Sequence, residues 1–479
     1  MKIAFLAASL SFCSAAAFPA ERQVISPAAE RFGPSVIASA SRDAAHDWPK
    51  YCADDGMTGV AAAERSISPA TAPSFASLWT ATLPGSIASS PAVVGGRVYV
   101  GDWSGLEWAF DADTGAAIAH SDLGTTSAPQ CNPPNIGITS AAAVQNGVVY
   151  VAGGDDGFYA LDAKTLETLW KTRMGDNSPG GGYYGWCSPA VLDGVVYQGL
   201  SSNCDNPFIP GGLDALDAAT GAIEANVNLS QTSDPAHYGA GVWTSPAIDR
   251  AAGTVFLATA SATHYEDGLA YSVVRLSLAD LAVEDFWKIP PQDFALTDDA
   301  DWGSSPTLFH DSAGLPLVGA GQKNGYYYAF RRSDLADGPV WKTKIANSGD
   351  CPQCGNGTVS TAAFDGERLY AGSGEPPDYS SRGAVTALDP ATGAIVWLAK
   401  LPGVVIGPVS YANGVVFAAA GNTVASPPGS VYAIDADSGL TLWHADLPAA
   451  LYGGVAISNG RIYFGDLSGN LYCYAVPVP

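Results

Sequence analysis

Three charged side chains within residues 299–323 are the strongest candidates for chemistry in this sequence. Asp299 and Asp301 precede a strand-like run at 305–309, and Lys323 lies in a hairpin turn 22 residues after Asp301. Carboxylates accept protons in general base catalysis, and an amine stabilises developing negative charge. Whether these groups meet depends on the architecture that the rest of the chain builds.

The composition predicts an all-β protein. Charged residues make up only 14% of the chain, whereas glycine (54 residues) and aromatic residues (10%) are plentiful. This balance suits short strands and tight turns. The formal net charge of -24 would repel phosphate backbones and anionic lipid, so the sequence argues against a nucleic-acid partner.

A repeat organises the chain from residue 47 to residue 479. Each copy holds a strand that often begins Ser-Pro-Ala, an apolar strand such as GRVYVGD, a third strand ending in Leu-Asp or Phe-Asp, a D-x-x-T-G-like turn, and an outer strand that often carries Trp. A four-stranded meander cannot bury both faces alone, so serial copies predict radial stacking in an eight-bladed β-propeller of four-stranded antiparallel blades. The copies start at Ser89, Thr139, Cys187, Thr244, Ser304, Ser360, Gly407 and Gly453.

The ends of the repeat region predict how the ring closes. The eighth copy stops at 471–474 without an outer strand, and an outer-strand pattern at 77–85 precedes the first copy. An N-terminal strand is therefore expected to complete the last blade and to remove two exposed edges.

The meander sorts polar residues onto two faces. With strands A to D numbered outward from the axis, the D-to-A and B-to-C connections lie on one face, here called the near face. The D-x-x-T-G turns lie on the far face and are interpreted as structural, because Asp accepts backbone N–H bonds and Gly takes positive φ. Asp299, Asp301, Lys323 and Asn324 fall together on the near face.

The N-terminus predicts export. Lys2, an apolar run at 3–12 and small residues at 14–17 have the three-part form of a secretory signal, assigned to residues 1–17. Residues 18–46 are rich in Ala, Ser and Pro and are predicted to be a flexible linker. No later apolar run is long enough to span a bilayer, so a secreted or periplasmic protein is expected.

Seven cysteines follow the signal segment, and several should pair in an oxidising compartment. Cys187 and Cys204 belong to one repeat and could form a bridge. Cys351 and Cys354 have redox or zinc spacing, but without a second pair or histidines a local disulfide is favoured. His264 near Glu266 in an expanded near-face loop could hint at metal binding, but a solvated loop is the favoured interpretation.

Several motifs together resemble the pyrroloquinoline quinone (PQQ) dehydrogenases, nearest to the polyvinyl-alcohol dehydrogenase branch. Besides the repeats, these are Asp47-Trp48-Pro49, VWTSPA at 242–247, DWGSSP at 301–306 and QKNGYYY at 322–328. The resemblance covers about residues 47–476. The repeats are specific for the fold but weak for activity, since assembly-scaffold propellers share them.

The resemblance implies a role for each near-face residue. Trp243 would stack on PQQ, Asp301 would take the alcohol proton, and Asp299 would be a second carboxylate. Lys323 would bond the quinone oxygens, and Asn324 is assigned to the same cofactor-binding set. The alternatives are a structural loop aspartate at 301, a solvated lysine beside a type I′ turn and one more packing tryptophan.

The resemblance also implies a bound Ca²⁺, although the sequence departs from the family pattern. Thr259-Ala260-Ser261 stands where relatives carry Thr-Gly-Asn, and the expected Glu ligand has no clear counterpart. Asn203 or Asp205 in an expanded loop is predicted to substitute, with Ser261 and Asp301 completing the metal ligands. No two cysteines are adjacent, so the disulfide ring that caps PQQ in many members is missing.

Two functions follow from the sequence. The first is an exported quinoprotein that oxidises a small or polymeric alcohol and passes electrons to a separate acceptor such as a cytochrome c. The second is a non-catalytic propeller that binds protein or carbohydrate as a scaffold.

Overall fold

The computed structural model describes residues 44–294, 299–421 and 428–477. The predicted signal segment, 1–17, and residues 18–43 of the predicted linker lie outside the described residues. The described chain forms eight antiparallel sheets arranged as the predicted eight-bladed β-propeller. No helix in the described part is both long and apolar enough to cross a bilayer.

Each blade runs from the innermost strand A to the outermost strand D. Blades 1 and 2 consist of Ala92–Val94, Arg97–Gly101, Leu106–Asp111 and Ala117–Asp122, then Ala143–Gln145, Val148–Ala152, Gly157–Asp162 and Thr168–Arg173. Blades 3 and 4 consist of Ala190–Leu192, Val195–Ser202, Gly212–Asp217 and Ile223–Asn228, then Ala247–Asp249, Thr254–Ala258, Ser272–Ser277 and Val283–Lys288. Tyr183–Tyr184 pairs with strand B of blade 3.

The second half repeats the pattern. Blades 5 and 6 consist of Thr307–His310, Pro316–Gly321, Tyr326–Arg331 and Trp341–Lys344, then Ala363–Phe364, Leu369–Ser373, Gly383–Leu388 and Ile395–Leu401. Blade 7 consists of Ser410–Ala412, Val415–Gly421, Ser430–Asp435 and Thr441–Asp446, with Val404–Val405 added to strand B. The described 3-10 helices are Ala44–His46, Ala72–Ser74, Pro235–His237, Pro291–Asp293 and Pro352–Cys354.

Blade 8 is built from both ends of the described chain. Its strands A to C are Ala456–Ser458, Arg461–Gly465 and Asn470–Ala475, and its strand D is the N-terminal strand Ala76–Thr82. The antiparallel pairing of the first and last strands joins the ring as the sequence predicted, and it covers edges that would otherwise be open.

Outer tryptophans connect neighbouring blades on the far face. The Trp170 indole of blade 2 donates to the Ala218 carbonyl at 3.1 Å. Ala218 follows Asp217, the first residue of the D-x-x-T-G turn in blade 3. Gly221 of that turn has φ +74°, and a Cβ there would lie 2.5 Å from the Trp170 ring. The turn thus requires glycine both for its backbone conformation and for the close ring. Matching bonds join Trp79 to Ala112, Trp341 to Pro390 and Trp397 to Ala436.

The segment before the first blade forms a floor across the axis, which the sequence did not predict. Residues 48–59 exchange backbone hydrogen bonds with the innermost strands of six blades and so satisfy edges that face the central channel. Tyr51 bonds Thr361 by its hydroxyl at 3.0 Å. The backbone pairs are Trp48 with Val93, Pro49 with Val144, Asp55 with Ile248, Gly56 with Leu308, Thr58 with Phe364 and Gly59 with Tyr411.

The cysteine pairing corrects one expectation and confirms another. Cys204 pairs with Cys131, from the loop that leads into blade 2, and Cys187 is a buried free thiol. The predicted bridge between Cys187 and Cys204 is therefore wrong, because Cys187 lies just before the innermost strand Ala190–Leu192, whereas Cys204 lies in a loop that reaches the connection before blade 2. The local disulfide between Cys351 and Cys354 is present.

Candidate functional site

A cavity of about 300 Å³ opens at the axis on the near face. Its lining includes Asp299, Asp301, Lys323, Trp243 and Asp205, which come from the loops of blades 3, 4 and 5. A volume of this size is typical of small-molecule sites. The meander explains why these residues lie close together, because each of them lies in a D-to-A or B-to-C connection and these connections share the near face.

Lys323 lies at the centre of the charged groups. Its ammonium donates to Asp299 Oδ1 at 2.6 Å and to Asp301 Oδ2 at 2.9 Å, and it lies 5.9 Å from the Trp243 ring centroid. Only 8% of the Lys323 and Asp301 side chains is exposed, against 32% for Asp299. The most accessible oxygen of the cluster therefore belongs to Asp299.

The hairpin that presents Lys323 is fixed by its own polar side chains. Gly325 takes φ +85°, and Asn324 Oδ1 accepts from the Tyr326 N–H at 3.0 Å. The Asn324 side-chain nitrogen donates to the Asp293 carbonyl and the Tyr328 hydroxyl, both at 2.7 Å. Asn324 therefore anchors the turn and is not among the residues that line the cavity.

A third carboxylate, Asp205, joins the pair. One oxygen from each of Asp205, Asp299 and Asp301 lies within 4.8 Å of the others. Ser261 connects them, since its N–H donates to Asp301 Oδ1 at 2.6 Å and its hydroxyl to Asp205 Oδ2 at 3.2 Å. Three carboxylate groups at this separation match the oxygen ligands that hard divalent cations prefer.

The carboxylates titrate very differently. Burial, followed by the charges of Asp301 and Asp299, raises the pKa of Asp205 to about 8. Burial and the charge of Asp301 raise the pKa of Asp299 to about 7. Burial also opposes ionisation of Asp301, but the charge and hydrogen bond of Lys323 outweigh it and lower its pKa. The two acids likewise raise the pKa of Lys323 against the effect of burial.

Several buried donors in the cavity wall make no hydrogen bond within the described residues. They are Trp243 Nε1, Asn203 Nδ2 and Gln353 Nε2. Unsatisfied buried donors are uncommon in folded proteins and point to a missing acceptor. Of the predicted metal ligands, Asn203 thus lines the cavity with its amide nitrogen unpaired, whereas Ser261 lies behind the carboxylates.

Sequence reasoning missed part of the wall. Trp186 stands two residues before the Ser-Pro of its repeat, as Trp243 does in the next, and this shared offset was a usable signal. Trp103 and Gln353 lie in loops whose position only the ring geometry gives. Tyr51 belongs to the floor, for which no repeat pattern exists.

Comparisons with known proteins place this geometry in a family. The family model described as outer membrane protein assembly factor BamB matches residues 76–271, 331–426 and 427–476, more than half of the chain. A polyvinylalcohol dehydrogenase from a Pseudomonas species is 25% identical over 370 residues, 68% of this chain and 55% of the relative. One from a Sphingopyxis strain is 26% identical over 365 residues, 67% of this chain and 54% of the relative.

The fold has close counterparts among solved structures. The quinohemoprotein alcohol dehydrogenase from Comamonas testosteroni superposes with a TM-score of 0.70 at 17% identity, over 91% of this chain and 81% of that one. The chain spans only about half the length of the two polyvinylalcohol dehydrogenases. With the repeat model matched along most of the propeller, the chain belongs to the PQQ-repeat family, as a propeller of the PQQ alcohol dehydrogenase-like kind.

Proposed function

We propose that this protein is an exported quinoprotein dehydrogenase that oxidises an alcohol in the near-face cavity. The observation that carries the proposal is a buried lysine held between two carboxylates whose acidities differ, Asp299 and Asp301, beside the ring of Trp243. Pairs of titratable groups whose surroundings give them different pKa values are typical of acid–base sites.

The donor set of the cavity fits PQQ. PQQ is a flat tricyclic molecule rich in acceptor oxygens, and the wall offers the Lys323 ammonium with the unpaired donors of Trp243, Asn203 and Gln353. Trp243 also presents its ring to the cavity, as a stacking residue must. When bound there, PQQ supplies a two-electron acceptor that no side chain can provide.

The carboxylates fit a divalent cation. Asp205, Asp299 and Asp301 would hold it, with Asn203 offering a side-chain oxygen and Ser261 supporting two of the acids. A cation would offset the repulsion that raises the pKa of Asp205 and Asp299. Calcium is the ion we propose, because all of these donors are oxygen atoms.

The two carboxylates beside Lys323 have separate roles in this proposal. Asp301 is held ionised by Lys323 and by the Ser261 N–H, so it is a weak base that orients the ammonium. Asp299 is the more exposed of the two, with 32% of its side chain accessible against 8% for Asp301, which suits a group that must reach the substrate hydroxyl and accept its proton. We therefore assign the alcohol proton to Asp299, where the sequence pattern favoured Asp301.

The proposed substrate follows the relatives. Their name, polyvinylalcohol dehydrogenase, supports an alcohol substrate that is polymeric in those proteins. Electrons would leave to a separate acceptor such as a cytochrome c, and the sequence signal at 1–17 supports a secreted or periplasmic location. A near-face opening at the axis gives both a chain-like substrate and an electron acceptor access from one side.

A scaffold role is the second candidate, and one observation favours it. The matching family model takes its description from an outer membrane assembly factor. In that case the near-face loops would bind protein or carbohydrate, and the charged cluster would carry no turnover.

Reconstitution distinguishes the two candidates. The purified protein is titrated with PQQ and Ca²⁺, and alcohol-dependent reduction of a dye acceptor is measured. The dehydrogenase proposal expects retained PQQ absorbance and turnover, and it expects Asp299→Asn to remove turnover while sparing PQQ binding. Absence of both retained PQQ and dye reduction would favour the scaffold.

Two variants sharpen that experiment. Asp301→Asn should weaken both PQQ retention and turnover, because Lys323 loses its buried charged partner and keeps only the more exposed Asp299. Asp299→Asn leaves the buried Lys323–Asp301 pair intact and should act on turnover. Asp293→Asn, on the exposed ion pair with Lys342 in the preceding loop, is the matched control and should leave both unchanged. Full turnover in Asp299→Asn would reject the assigned base.

A further inference from the structure

A second cluster of ligand-type side chains lies on the near face, outside the carboxylate cluster. His237 ends the 3-10 helix Pro235–His237 between blades 3 and 4, and His264 and Asp267 lie in the B-to-C loop of blade 4. The Asp234 side chain caps the helix by accepting from the Ala236 N–H at 3.0 Å. Because the cap holds the backbone of this short helix, it fixes the position from which the His237 side chain extends.

The two segments are held together by backbone bonds. Gly239 and Ala262 form a bridge, the Ala240 N–H donates to the Ser261 carbonyl at 3.0 Å, and the Thr263 N–H donates to the Tyr238 carbonyl at 3.2 Å. These bonds lie directly between the histidines. The cluster is therefore built on a joined pair of loops rather than on two independent ones.

The ligand atoms already converge. One ligand atom from each of His237, His264 and Asp267 lies within 4.8 Å of the other two. Asp267, with 7% of its side chain exposed, places Oδ1 2.7 Å from His237 Nδ1. Its Oδ2 accepts a hydrogen bond from the backbone N–H of His264 at 2.9 Å. The two imidazole rings are 5.5 Å apart between centroids.

We propose that His237, His264 and Asp267 form a binding site for a divalent transition metal of the zinc class. Two imidazoles and a carboxylate are a typical ligand set for Zn²⁺ or Cu²⁺, whereas Ca²⁺ prefers six or more oxygen atoms. Ligand atoms around a tetrahedral zinc lie about 3.3 Å apart, as bond lengths of about 2.0–2.2 Å require. Small side-chain rotations bring the three groups to that spacing.

The ion would replace the hydrogen that joins His237 to Asp267; a protonated imidazole would release that proton to solvent, and a neutral ring would carry its proton on Nε2 instead. The two histidines are exposed, with 49% of the His237 side chain accessible, so water can occupy the remaining coordination position. An ion here would clamp the B-to-C loop of blade 4 to the connection that precedes blade 4. The site needs no PQQ and does not rest on the proposed dehydrogenase activity.

Metal titration of the full chain tests the site. The protein is first treated with a chelator, then given millimolar Ca²⁺ to compete at the carboxylate cluster, and Zn²⁺ binding is measured by calorimetry. One equivalent of Zn²⁺ is expected, with affinity at least about tenfold weaker in His237→Ala and in His264→Ala. Cu²⁺ bound to the wild type should show nitrogen hyperfine structure in its electron paramagnetic resonance spectrum, and each variant should lose part of it.

Two controls separate this site from others. His310→Ala removes an exposed histidine on another blade, and Asp205→Asn alters the carboxylate cluster; both should keep the Zn²⁺ affinity of the wild type. The proposal is overturned if the wild type binds no Zn²⁺, if both histidine variants keep its affinity, or if Asp205→Asn alone removes binding. Circular dichroism of each variant establishes that the propeller is intact.

Discussion

The two faces of the ring use the same residue types in opposite ways. On the far face, Asp217 Oδ1 accepts from the N–H and the hydroxyl of Thr220, and the turn receives the Trp170 indole. These hydrogen bonds all stay within the scaffold. Aspartates at 111, 389 and 435 repeat the same bonds in their own turns.

On the near face the same residue types are crowded or unpaired. Three aspartates crowd together with one lysine that bonds only two of them, and the Trp243 indole nitrogen is buried without a partner among the described residues. The far-face arrangement recurs from blade to blade, whereas the near-face cluster occurs once. The difference teaches that unpaired donors and crowded carboxylates point to a ligand where they line one cavity together, as Asn203, Trp243 and Gln353 do with the aspartates.

The largest expected effect comes from removing the shared cation. Lys323→Met should lower turnover by at least about 100-fold, because no positive charge then stabilises the developing negative charge. It should also destabilise the protein by about 3–5 kcal/mol, since Asp301 becomes an uncompensated buried charge. Steady-state rates per folded molecule and urea unfolding measure the two effects.

A double variant separates stability from activity. Lys323→Met with Asp301→Asn removes both charges of the buried pair, so most of the lost stability should return while turnover stays low. Lys342→Met, on an exposed ion pair, should change neither. Recovery of turnover in the double variant would contradict a direct role for Lys323.

The pH dependence of stability should differ between the faces in chelator-treated protein. The pKa of Asp299 is raised to about 7 and that of Asp205 to about 8. The native state therefore binds more protons than the unfolded chain above the ordinary aspartate pKa, and the free energy of unfolding falls as pH rises towards 8. Each group contributes at most about 1.4 kcal/mol per pH unit.

The far-face aspartates change the free energy of unfolding with pH in the opposite direction. Hydrogen bonds from Thr220 lower the pKa of Asp217, so its contribution is complete above the ordinary aspartate pKa and is lost only in stronger acid. Asp299→Asn should thus flatten the fall in stability between pH 5 and 8, as followed by urea unfolding, and Asp217→Asn should leave that slope unchanged. Equal slopes for Asp299→Asn and wild type would mean that the near-face acids are not coupled.

A cation should act on the near face only. Ca²⁺ at about 100 times its dissociation constant should raise the free energy of unfolding by about 2.7 kcal/mol. Asp205→Asn should reduce this gain by weakening binding, and Asp217→Asn should leave it intact. Thermal unfolding with and without Ca²⁺ measures it; a gain unaffected by Asp205→Asn would place the ion elsewhere.

The sequence was sufficient for the fold because the repeat carries its own structural signals. The D-x-x-T-G turns, the Ser-Pro starts and the strand alternation fixed the number of blades and the two faces. The meander rule alone brought Asp301 and Lys323 together, although they are 22 residues apart in the chain.

Other features depended on contacts that no repeat encodes. The floor at 48–59 bonds six blades by its backbone, so its side chains show no pattern, and the Cys131–Cys204 bridge joins loops that are 73 residues apart. Our proposal of Asp299 rather than Asp301 as the base depends on which carboxylate is the more exposed and which one the lysine holds ionised. That distinction requires distances and burial, which a sequence does not contain.

The smallest expected effect tests the far-face half of the comparison. Trp170→Phe keeps an aromatic ring beside Gly221 but removes the donor to the Ala218 carbonyl, so the loss should be close to one hydrogen bond, about 0.5–1.5 kcal/mol. Turnover and PQQ retention should not change, because the ring lies on the opposite face from the cavity. The matched near-face change, Trp243→Phe, removes an indole nitrogen that has no partner in the described part of the chain, so it should cost little stability yet weaken PQQ retention. Urea unfolding and PQQ titration of both variants decide the matter: if Trp243→Phe lost as much stability as Trp170→Phe and kept full PQQ retention, the unpaired indole would be a scaffold residue and the contrast between the faces would fail.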